Sequence, residues 1–114
     1  WTREGERMSV VVPDGCLLVQ AGKQLEYLTG GHVLAGYHEV IINKKTIESI
    51  EKKKAEGGSL WRVSSTLFGH VASDQLLEPL GPFNTKEAKK NYPPKFTGDQ
   101  VREELEAISL AKTA

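Results

Sequence analysis

Three things are scarce in these 114 residues: cysteine, net charge and uninterrupted apolar sequence. The lone Cys16, within "GCLLVQ", permits no internal disulfide and reads as a small apolar side chain. Fifteen Lys and Arg balance fifteen Asp and Glu. With no net field to draw the chain onto nucleic acid or an anionic membrane, a basic-patch function is disfavoured. No apolar run approaches the roughly 18 residues of a spanning helix, and the first residues lack the charged, apolar and small-residue regions of a secretory signal. A cytoplasmic protein is expected. An initiator methionine is also missing, since the chain opens "WTREGERMSVVV", and it reads as cut from something longer. The length suits one domain with one modest core, and neither internal repeats nor low-complexity tracts occur.

What is present reads first as short strands between turn signals. "ERMSVVV" and "CLLVQAG" flank Pro13-Asp14-Gly15, a pattern expected to form a hairpin. "KQLEYLTGG" suits a single helical turn closed by Gly30-Gly31. "HVLAGYHEVII" and "SLWRVSSTLFGHVA" are rich in β-branched and aromatic residues and are expected as long strands. Between them "INKKTIESIEKKKAEGG" changes to a helical pattern, capped by Thr46, with acids early, Lys52 to Lys54 late and Gly57 at the exit. This predicts a helical insertion over 43–58 whose lysines form a solvated face. In the tail, Thr97 with Gln100 makes a capping box, Phe96 can staple onto Val101, and Val101, Leu105 and Ile108 repeat at helical spacing, which predicts a helix over 98–110.

Residues two apart on a strand share a face, so Arg62, Ser64, Thr66 and Phe68 line one side of theirs, while Gly36, His38 and Val40 line one side of the other. If the two faces look into one barrel, an imidazole, a guanidinium and a hydroxyl converge. Arginine's planar fork with a serine hydroxyl suits the carboxylate of a small dicarboxylic acid, and the imidazole could hold a metal. A site built from all three histidines is disfavoured: His32 and His38 lie six residues apart, roughly 20 Å along a strand, and His70 reads as a rim residue. Trp1, Trp61 and Tyr37 are expected to pack rather than to stack on a ligand. Gly30-Gly31 lacks the following Lys-Ser/Thr of a phosphate loop.

The succession of "VVVPDGCLLVQAGKQLEYLTGGHVLAGYHEVI", "WRVSSTLF" and "DQLLEPLGPF" resembles the C-terminal half of the isopenicillin N synthase-like iron(II) oxygenases, most of which use 2-oxoglutarate. The likeness runs from about Met8 to Phe83, with "NYPPKFTGDQVREELEA" similar to the family's closing helical region. It implies a mainly β fold with flanking helices, the second half of a double-stranded β-helix or jelly roll. It implies that His38 is the distal histidine of the two-histidine, one-carboxylate iron triad, that Arg62 and Ser64 bind the distal carboxylate of 2-oxoglutarate, and that Phe68 is a pocket wall. The family's proximal His-x-Asp pair is absent from this chain, and neither His-x-Asp nor His-x-Glu occurs in it. Since a facial triad needs three protein ligands, the expectation is an oxidoreductase segment acting on a small organic substrate and silent in isolation. Its partner would be the missing N-terminal half of the same domain, or a second copy, because half a barrel exposes strand edges. Two rivals stand beside this reading: a non-catalytic β-sandwich binding or assembly module, and an unrelated sheet in which His38 and Arg62 merely share a hydrogen-bond network.

Overall fold

The computed structural model describes residues 1–108 and overturns the mainly β expectation, since 35% of it is helical and 4% is strand. The elements in chain order are α1 (Lys23–Leu28), α2 (Lys44–Ala55), β1 (Leu76–Leu77), a 3-10 turn (Gly81–Phe83), α3 (Lys86–Asn91), β2 (Lys95–Phe96) and α4 (Thr97–Ala107). Among the described residues the one sheet is the antiparallel pair β1–β2, with Leu76 opposite Phe96 and Leu77 opposite Lys95. Neither half a double-stranded β-helix nor a jelly roll is formed. The chain divides into two compact units, one made of Trp1–Tyr37 with the residues from Gly69 onward, the other of His38–Phe68.

The core of the first unit is small and partly polar. Leu77 is fully buried, and Pro79, Thr97, Ala88, Gln100 and Glu26 are buried with it. β1 is anchored on both sides: the Leu80 amide donates to the Leu28 carbonyl at 2.9 Å, and the Gln75 carbonyl accepts from both the amide and the hydroxyl of Thr97 at 3.0 Å. Thr97 is therefore the first residue of α4, spent on β1 rather than on the expected capping box, and the cap position falls to Phe96. The other member of that expected box, Gln100, is buried and accepts from the Gln24 side chain at 3.2 Å, tying α4 to α1. The final two residues of the predicted 98–110 helix lie outside the described residues.

α1 ends as "TGG" requires. The Gly31 amide donates to the Glu26 carbonyl and Gly30 to that of Tyr27, with both glycines at positive φ. Close approach demands glycine here too, since a Cβ on Gly30 would meet the Ala88 Cβ at 2.8 Å and one on Gly31 the Tyr92 hydroxyl at 2.6 Å. α3 went unnoticed in the sequence pattern, although Thr85 caps it by accepting from the Ala88 amide at 3.0 Å. Its buried Ala88 seats it against the glycine turn.

The expected long strands fail for a physical reason. The turn at Asp14-Gly15 forms, with Gly15 at positive φ and the Cys16 amide donating to the Pro13 carbonyl at 3.1 Å, yet no ladder grows from it. A two-stranded hairpin is marginal without a covering face, and here both flanks stay exposed, Val11 at 82% and Leu17 at 92%. Propensity supplied the turn, but nothing within the described residues supplies the apolar cover that would hold the strands.

In the second unit α2 arises where the helical insertion over 43–58 is expected, though with a different start. Asn43, not Thr46, is the cap: its Oδ1 accepts from the Thr46 amide at 3.0 Å and from the Thr46 hydroxyl at 3.1 Å. Lys52, Lys53 and Lys54 occupy the last turn, where the helix dipole favours them. Lys52 and Lys53 lie near Glu56 in exposed ion pairs of little energetic weight. No residue of α2 is buried.

Candidate functional site

All four residues singled out by sequence, His38, Arg62, Ser64 and Phe68, fall in the His38–Phe68 unit, on the two flanks of α2, and all are exposed. Neither flank is strand or helix. Arg62 lines a shallow concavity with Ser59, Leu60 and Trp61, shaped locally where the Trp61 amide donates to the Ser59 hydroxyl at 3.3 Å. His38, Ser64 and Phe68 do not line that concavity. The convergence expected from strand parity depended on a barrel wall. Without a ladder to fix their pleat, residues two apart have no common face to share.

By themselves the side chains present do not complete an iron site. Among the described residues no three His, Cys, Asp or Glu side chains gather as a ligand group, and one imidazole leaves a metal without the other members of a triad. Arg62 is exposed and its planar fork has the chemistry to take a carboxylate, while Ser64, also exposed, does not line the same concavity.

The first unit contains a polar cluster that the sequence reading missed. Glu26, on α1, is 7% exposed. Its carboxylate accepts from the Ala35 amide at 2.8 Å, the Lys23 ammonium at 2.9 Å and the Tyr92 hydroxyl at 3.2 Å. Burial by itself would push this carboxyl up, but those three donors outweigh it and hold it below the ordinary range. Lys23 is raised by its hydrogen bond to Glu26. Tyr92 is raised first by burial and then by the Glu26 charge. Tyr92 also stands edge-on to Tyr27 with ring centroids 5.2 Å apart, and Lys95 lies over the Tyr27 ring at 5.5 Å. The signal was faint but legible: Lys23 and Glu26 sit three apart on a helical pattern just ahead of a glycine turn.

A cleft of about 700 Å³ beside this cluster is lined by Arg3, Lys23, Glu26, His32 and Tyr37 among others. Its charged groups are engaged, Lys23 with Glu26 and Arg3 with the His32 carbonyl at 2.9 Å. Glu26, ionised and satisfied by three donors, works as a tie between α1, the segment before Gly36 and Tyr92, not as a proton shuttle. Among the described residues no helix is long and apolar enough to cross a membrane. No family model, no curated protein and no solved structure matches the chain.

Proposed function

We propose that this chain is the carboxylate-binding, distal-histidine portion of a non-haem iron(II), 2-oxoglutarate-dependent oxidoreductase acting on a small organic substrate, silent until another polypeptide supplies the His-x-Asp pair. The observation that carries the reading is the order "HEVII", then "LWRVSSTLF", within one continuous unit whose His38, Arg62, Ser64 and Phe68 are exposed rather than consumed by a core. Arg62 and Ser64 would hold the distal carboxylate of the co-substrate by a bidentate fork and a hydroxyl bond. Phe68 would wall the pocket. His38 would contribute one ligand of three. When bound, iron would supply oxygen activation; this chain's own residues bind and orient. A cytoplasmic setting accompanies the reading, since the single cysteine asks for no oxidising compartment.

Co-production with a polypeptide carrying the His-x-Asp pair tests it. Succinate release from 2-oxoglutarate is expected only in the complex, with His38→Ala abolishing turnover and Arg62→Leu raising the KM for 2-oxoglutarate. A complex that forms but never turns over under iron(II) would sink the oxygenase reading. That outcome would favour the second reading, a non-catalytic assembly module, for which the exposure of Trp61, Val63 and Leu67 at 90% or more is the specific support.

A further inference from the structure

The cleft of about 700 Å³ beside the Glu26 cluster falls within the roughly 300–1,000 Å³ of small-molecule sites. Three stretches far apart in sequence build it, residues 1–3, Lys23 with Glu26 of α1, and residues 32–37, all of them in the first unit. The concavity at Arg62, by contrast, is made by four consecutive residues.

The wall formed by residues 32–37 is fixed, although it is neither strand nor helix. The Val33 amide donates to the Thr29 hydroxyl at 3.0 Å, the Ala35 amide to the Glu26 carboxylate at 2.8 Å and the Gly36 amide to the Ala21 carbonyl at 3.1 Å. The Tyr37 carbonyl accepts from the Trp1 nitrogen at 3.0 Å, which joins the first stretch to the last. Bonds at such short intervals set the wall before a ligand arrives and lower the ordering cost of binding.

The lining specifies the ligand's chemistry. Trp1 and Tyr37, expected from sequence to pack, stand 50% and 79% exposed along the cleft. Together with Val33 and Leu34 they suit a flat apolar body. Two cations, Arg3 and Lys23, against one carboxylate, Glu26, leave one net positive charge, which matches a single carboxylate better than the double charge of a phosphate. Each cation is held by a bond that uses one N–H, Arg3 to the His32 carbonyl and Lys23 to Glu26, both at 2.9 Å. A guanidinium carries five such donors and an ammonium three, so both can donate further into the cleft they line. The planar fork of Arg3 matches a carboxylate in particular.

We propose that this cleft is a binding site for a small aromatic monocarboxylate, its carboxylate on Arg3 and Lys23 and its ring against Trp1 and Tyr37. The site goes beyond the oxygenase reading, shares no residue with it and does not depend on it.

The test is a heteronuclear NMR titration of the full chain that follows the amides of Val33, Ala35 and Gly36. Hydrocinnamate is expected to shift them saturably. Hydrocinnamide, which lacks the charge, acetate, which lacks the ring, and inorganic phosphate should each bind at least about tenfold more weakly. Arg3→Gln should weaken hydrocinnamate about tenfold, and Arg3→Lys, which keeps the charge without the fork, about threefold. Tyr37→Ala, which retains the carbonyl bonded to Trp1, should weaken it about threefold. The near-ultraviolet dichroism of Tyr27 and Tyr92 should stay unchanged in all three variants. Arg62→Leu should alter the affinity by less than about twofold, which separates this cleft from the co-substrate role of Arg62. Amides that show no saturable shift overturn the proposal. So does equal affinity for hydrocinnamide or phosphate, or a response that moves to residues 59–62 and is lost in Arg62→Leu.

Discussion

Leu77 and Val63 are both apolar residues in short stretches between turn signals, yet Leu77 is completely buried and Val63 is 91% exposed. The difference is not in the side chains. Leu77 belongs to a segment whose backbone meets β2 on one side and whose neighbour Leu80 reaches α1. Val63 belongs to a segment that enters no ladder among the described residues. Strand propensity describes how well a residue suits a half-buried pleated surface. It creates neither the neighbouring strand nor the face that covers it.

The largest break in this comparison is expected at Leu77. Leu77→Ala should cost about 2–5 kcal/mol, read from denaturant midpoints, which for so small a core is enough to abolish cooperative unfolding of the first unit. The Glu26 tie comes next. Glu26→Ala leaves the Ala35 amide and the Tyr92 hydroxyl without their acceptor, each about 1–3 kcal/mol if it stays buried, and should free the Ala35 amide to hydrogen exchange. The wild-type tie also predicts the pH profile. The Glu26 carboxyl is depressed in the folded chain, so its contribution is complete above the ordinary carboxylate value near 4.5 and fades as pH falls through the lower folded value. Glu26→Gln should flatten that acid limb of the stability curve. In the other unit Asn43→Ala, which removes the α2 cap, should lower helicity by an amount equivalent to about 1 kcal/mol. The smallest effect sharpens the comparison most: Val63→Ala should change stability by no more than about 0.5 kcal/mol, a tenth of the upper value at Leu77. A large loss at Val63 would show that its segment is covered after all.

Much of the local structure was legible. The helical insertion, the tail helix, the turn at Asp14-Gly15 and the glycine exit of α1 each rest on interactions within about four residues, which composition reports directly. Caps were read less well. Asn43 displaced Thr46 because an Asn three residues earlier offers the same acceptor to an incoming amide, and Thr97 left its expected role because the Gln75 carbonyl competed for its hydroxyl. The candidate site shows the same division. The side-chain chemistry of Arg62 and Ser64, which suits a carboxylate, and of His38, which suits a metal or a proton, can be read from the sequence alone. Whether they face one cavity depends on lateral pairing that no spacing rule contains. Glu26 was overlooked because its significance comes from Tyr92, sixty-six residues away, and from the amide of Ala35.

The sequence by itself determined that helices form around α2 and α4, which turns need glycine, and that its charges cancel, because each follows from neighbouring residues or from simple addition. Only the tertiary structure decided which apolar segments became core. Burial requires a second surface, and for residues 73–100 the chain provides one, through α1 and β2, while the apolar side chains of residues 38–42 and 60–68 stay exposed.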